Sequence, residues 1–157
     1  EKIDIPKSEN TLSITLTKEQ IEKIISFVSQ KTNNYRDLRS YLIIELLYTT
    51  GVRVSELISI KTNNVDLINK KILIDPFEKG KTRKERIVFF GSQTKEVFEK
   101  YLESRRVHFQ KKDTPWLFPS TNTSEFLTRR RVLQIMHNLA DQIKIDRNLM
   151  HEIKFAV

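Results

Sequence analysis

The sequence predicts a mainly α-helical domain with a small antiparallel β-sheet, and two observations carry that prediction. Apolar residues recur at helical spacing in several stretches between Thr17 and Ile143. Between residues 65 and 90 this pattern gives way to short β-like runs with a turn between them.

Each element has its own signals. Residues 1–16 hold Pro6 and scattered polar side chains and read as an entry arm or interdomain linker. Thr17 then opens a helix: Thr17 with Gln20 forms a capping box, and Leu16 with Ile21 a hydrophobic staple. Ile21, Ile24, Ile25 and Val28 supply the buried stripe. The run "NNYRDLRSYLIIELLYTTG" is a second helix, apolar on most sides from Tyr41 to Tyr48, which places it at the centre of the core. Gly51 suits the position just past its end. A short third helix starts near Arg53 and carries Val54, Leu57 and Ile58 inward. "VDLINKKILID" is extended chain turning at Asn69-Lys70, and "ERIVFF" is a further strand. A helix from about Ser92 to Gln110 follows, then "WLFPS". Thr128 caps the last clear helix, with Val132, Ile135, Met136, Leu139 and Ile143 on its inner stripe. There is no internal repeat and no low-complexity segment.

The 157 residues fit one domain, and a formal charge of +8 favours a polyanionic partner. With no cysteine, disulfides and thiolate metal sites are excluded. No apolar run approaches the ~20 residues of a membrane span, and no secretion signal is legible, so a cytoplasmic location is the expectation.

Cations gather at three places. Arg53 stands at the mouth of the short third helix, where a positive charge opposes the macrodipole. Five of the eight positions from Lys79 to Arg86 are Lys or Arg. Arg129, Arg130 and Arg131 fill the first turn after Thr128, again a poor match to the dipole and better explained by phosphate contact.

"LLYTTGVRVSELISI", the hairpin "KGKTRKERIVFF", "WLFPS…EFLTRRRV" and a histidine in "IDRNLMHEIKFA" occur in that order. Together they resemble the catalytic domain of the tyrosine recombinases, the phage-integrase and Xer-type family, from about Thr17 to His151. The resemblance implies a DNA breaking-rejoining fold and site-specific recombination of double-stranded DNA. It also implies strand cleavage by a tyrosine, through a 3′-phosphotyrosyl link, with no metal and no cofactor. Arg53 matches the first family arginine, whose planar fork would hold two phosphate oxygens. Glu56 matches the acidic residue that would hold the local structure behind it. Lys81 matches the hairpin lysine that would protonate the leaving 5′ oxygen. Lys79, Arg83 and Lys84, with Arg129, Arg130 and Arg131, become DNA contacts. His151 matches the start of the His-x-x-Arg box and would hydrogen-bond a phosphate oxygen or shuttle a proton.

Two departures qualify the resemblance. The box reads "HEIK", so Lys154 stands where the family has arginine, and an ammonium cannot make the bidentate fork. The family's nucleophilic tyrosine follows further helices beyond the box, whereas this chain stops at Val157. Tyr35, Tyr41, Tyr48 and Tyr101 read as core or helix-surface residues. The expectation is therefore a partial catalytic domain over 17–157, lacking the nucleophile, that associates with itself or a partner recombinase on DNA. The rivals are a non-catalytic DNA-binding module, a truncated or degenerate relative, and a basic helical interaction protein.

Overall fold

The computed structural model of the chain describes residues 16–76, 84–110, 113–123 and 125–155. Its elements are α1 (Lys18–Gln30), α2 (Tyr35–Thr50), α3 (Val54–Ile58), β1 (Val65–Asp66), β2 (Lys71–Ile74), β3 (Arg86–Phe89), α4 (Ser92–His108) and α5 (Arg129–Ile143). A 3₁₀ turn over Thr62–Asn64 precedes β1, and a longer 3₁₀ segment, Arg147–Phe155, follows α5. The expected mainly helical fold with a small antiparallel sheet is what forms, and among the described residues the sheet has three strands ordered β1-β2-β3. The expected entry arm lies, up to residue 15, outside the described residues.

Local chemistry sets the helix starts. The Gln20 amide donates to Thr17 Oγ1 at 3.2 Å and the Thr17 amide to Gln20 Oε1 at 2.9 Å, completing the capping box. Asn34 Oδ1 caps α2 by accepting from the Asp37 amide at 3.0 Å. The hydroxyl of Thr128 caps α5 by accepting from the Arg131 amide at 3.1 Å. Gly51, at φ 63°, ends α2 in the left-handed region that glycine enters without strain.

Helix α2 is the axis of the core, with α1, α3, α4 and the 3₁₀ segment packed against it. Leu42, Ile43, Ile44 and Leu46 are fully buried, and each such side chain contributes about 1.5–3 kcal/mol. The sheet lies over one end. Ile72, Ile74 and Val88 face inward, while Ile87 and Phe89 stand exposed on its outer face. The hairpin between β1 and β2 turns at Lys70, whose φ of 51° completes the reversal at the expected Asn69-Lys70. "WLFPS" joins the body by backbone pairing: the Leu117 amide donates to the Ile60 carbonyl and the Thr62 amide to that of Pro115, both at 2.8 Å. No described helix is long and apolar enough to cross a membrane.

Candidate functional site

Gly51 reverses the chain, Val52 is buried, and Arg53 becomes the residue that precedes α3 rather than part of its first turn. Helix α3 is only five residues long. Its macrodipole is correspondingly small, so the conflict expected between Arg53 and the dipole is weaker than the sequence suggested. Glu56, in the first turn, resolves what remains. Its Oε2 accepts the Arg53 amide at 2.8 Å and Nη2 of Arg86, on β3, also at 2.8 Å.

The Glu56 carboxylate is buried, at 7% exposure, and it locks α3 to the sheet. The Arg53 guanidinium lies 3.6 Å from Glu56 Oε1, an ion pair beyond hydrogen-bond length, and its side chain remains 55% exposed. The backbone of Arg53 is held by Glu56 while its fork is left open. An outward, permanently charged fork on a fixed backbone can take two oxygens of a phosphate.

Strands β2 and β3 end and begin at Ile74 and Arg86, so the open end of the pair lies beside this α3–β3 junction. Asn64 Nδ2 braces that end, donating to the Leu73 carbonyl and to Asp75 Oδ2, both at 3.1 Å. Lys79, Lys81 and Arg83 lie outside the described residues; Lys84, which leads into β3, is exposed.

At the start of α5, Arg129, Arg130 and Arg131 are all exposed, with no acidic residue in that turn. Arg131 Nη1 donates to Gln134 Oε1. Helix α5 packs against α3.

His151 sits in the 3₁₀ segment, for which the sequence signals named no element. The segment packs against α2 and α5. Arg147 Nε donates to Asp141 Oδ1 at 2.7 Å and holds that exposed carboxyl below its usual range, pinning the segment to α5. His151 is exposed, and its ring meets that of His137 edge-to-face, with centroids 5.7 Å apart and planes at 78°. His137 Nε2 is buried and has no hydrogen-bond partner among the described residues. The side chain of Lys154 lies outside the described residues.

The four tyrosines are built into the body. Tyr101 is fully buried and donates to the Leu117 carbonyl at 2.7 Å, and burial pushes its phenol well above the ordinary range. Tyr35 stacks on Tyr101, its hydroxyl 3.3 Å away, and burial raises it too. Tyr41 is buried in α2 and Tyr48 is half-buried against the core. None of the four is exposed.

The sequence reading counted Arg86 only among the cations of the basic stretch. A signal for its role was present. Strand alternation puts Arg86 on the same face as the buried Val88 and Phe90, where a half-exposed guanidinium can reach a carboxylate at the edge of the core. Among the described residues, no three His, Asp or Glu side chains gather as metal ligands.

Comparison with known proteins adds independent findings. The family model described as "Phage integrase family" matches residues 15–155. The chain is 34% identical over 146 residues to "Tyrosine recombinase XerD" of Rickettsia prowazekii (strain Madrid E), covering 88% of this chain and 46% of that protein. It is 33% identical over 129 residues to "Tyrosine recombinase XerC" of Leptospira interrogans serovar Lai (strain 56601), covering 81% and 39%. The chain thus spans about half the length of the curated relatives it matches or less. Among solved structures it resembles the XerA recombinase, with TM-score 0.71 and 24% identity, over 92% of this chain and 48% of that one. It also resembles the XerH site-specific recombinase bound to its difH substrate, with TM-score 0.72 and 22% identity, over 90% and 40%. At those identities the structural likeness speaks for the fold alone. The family match over nearly the whole chain, on a fold of the same shape, shows that this protein belongs to the phage integrase family.

Proposed function

We propose that this chain is part of the catalytic domain of a site-specific tyrosine recombinase, and that it grips double-stranded DNA and stabilises the phosphate being cut. The observation that carries the reading is the Glu56 knot. One buried carboxylate takes the Arg53 amide and the Arg86 guanidinium and leaves the Arg53 fork facing solvent.

In this reading Arg53 neutralises charge that builds on the phosphorane during cleavage and rejoining. Lys81, on the basic connection, delivers a proton to the leaving 5′ oxygen, and His151 hydrogen-bonds a non-bridging oxygen. Lys79, Arg83, Lys84 and Arg129 to Arg131 hold the flanking backbone. The attacking tyrosine is not among the four of this chain and comes from elsewhere in the assembled recombinase, in which copies or partner recombinases meet on DNA. A second reading, a module that holds DNA without cutting it, draws on Lys154, which cannot replace an arginine fork.

Arg53→Lys separates the two readings. In the full-length protein, cleavage of a nicked suicide duplex should fall roughly 10²-fold or more, the scale of losing one transition-state donor. Duplex affinity should change far less, because many other cations remain. Equal losses in binding and cleavage would make Arg53 an anchoring contact and favour the second reading.

A further inference from the structure

A cleft of about 250 Å³ lies between the end of α1, the start of α2 and one face of α5, on residues to which the proposed reaction gives no joint role. Lys31, Arg36, Arg39 and Arg131 line it, against a single carboxylate, Asp37. Among the described residues none of these four cations forms a salt bridge. Asp37 is already engaged, since its Oδ2 accepts from Asn34 Nδ2 at 2.7 Å. Lys31 donates to the neutral Gln142 amide at 2.7 Å.

Arg39 is the telling residue. It is 4% exposed, yet among the described residues its Nε has no acceptor, and its guanidinium carbon lies 5.6 Å from the centre of the Tyr35 ring. A buried guanidinium nitrogen without an acceptor is costly, and the Tyr35 ring beside it offers no carboxylate to balance the charge. Arg39 lines the cleft, so an anion seated there would balance a charge that no carboxylate of the described residues pairs with.

We infer that this cleft is a phosphate-binding site. Several cations converging on one small space suit a phosphate better than a carboxylate, which one guanidinium already satisfies. The volume falls just below the roughly 300 Å³ at which pockets for drug-sized ligands begin, so the occupant is one group rather than a whole cofactor. The phosphate belongs either to a DNA backbone, which rests on the proposed function, or to a free ion or nucleotide, which does not.

The test titrates inorganic phosphate against the chain and follows backbone amide resonances. The expected result is saturable movement of the amides of Lys31, Arg39 and Arg131, at least tenfold weaker in Arg36→Glu. Arg36 is exposed in the first turn of α2, where a carboxylate suits the dipole, so that variant should keep the fold. Arg39→Met, which removes the buried donor at similar length, should weaken the titration similarly. Arg53→Lys should leave it intact, which keeps this site distinct from the α3 site. A short duplex then separates the sources. Competition between duplex and phosphate assigns the site to the DNA backbone, whereas undisturbed phosphate binding on saturating duplex assigns it to a free phosphate. Amides of the cleft that do not move, or movement unchanged in both Arg36→Glu and Arg39→Met, would overturn the inference.

Discussion

Glu45 and Glu56 are both buried, yet they are handled in opposite ways. Glu56 sits in the first turn of α3 with a backbone amide and a guanidinium on one oxygen and a second guanidinium near the other. Glu45 lies mid-helix in α2, where, among the described residues, its Oε1 accepts only the Thr94 hydroxyl, at 3.0 Å, and its Oε2 has no partner. Desolvation raises the Glu45 carboxyl above its ordinary value, against a smaller opposing effect of the Thr94 bond. One glutamate is a charged tie between two elements. The other is a buried acid whose ionisation the fold resists. The difference shows that burial alone does not tell what a carboxylate does; its partners decide.

The strongest way to break that contrast is Glu56→Ala. It orphans the Arg53 amide and frees Arg86, a loss of about 2 kcal/mol for hydrogen bonds to a charged group whose cationic partners are half in water. Scanning calorimetry should show the melting temperature falling by roughly 4–8 °C for a domain of this size. A fall of under one degree would reduce Glu56 to a surface-like contact. Arg86→Ala leaves Glu56 its backbone amide and its pairing with Arg53, so urea denaturation should show a smaller loss, about 1 kcal/mol. An effect equal to that of Glu56→Ala would mean that the guanidinium, not the amide, carries the tie.

Glu45→Gln should act in the other direction and most gently. Because the folded-state pKa of Glu45 is raised, the folded protein holds that proton more tightly than the unfolded chain does. This contribution is complete below the ordinary glutamate value of about 4.3 and is lost as pH rises through it toward the raised value. Glutamine keeps an acceptor for Thr94 and does not titrate. Melts across pH should therefore show no gain near pH 4 and a gain of roughly 2 °C by pH 8. A variant that is less stable at both ends would show that ionised Glu45 has a stabilising partner after all.

Much of this was legible in the residues because the forces involved are local. Thr17 with Gln20 and Thr128 before its helix name their own caps, and the 3.6-residue recurrence of apolar side chains names the buried faces. The position of Arg53 beside Glu56, three residues on, was readable for the same reason. Lys79, Lys81 and Arg83 stand as sequence expectations, since they lie outside the described residues.

What tertiary structure alone decided involves partners far apart in the chain. Glu56 and Arg86 are joined across 30 positions, and nothing near either residue specifies the other. The edge-to-face meeting of His137 and His151 depends on Arg147 pinning the 3₁₀ segment to α5. The burial of Arg39 depends on how α1, α2 and α5 close around it. Capping and periodicity act over one turn of backbone, so the sequence by itself determined the helices and the sheet, and its ordered motifs carried the resemblance to the family. A buried charge acquires its meaning only when the packed elements set which partner reaches it.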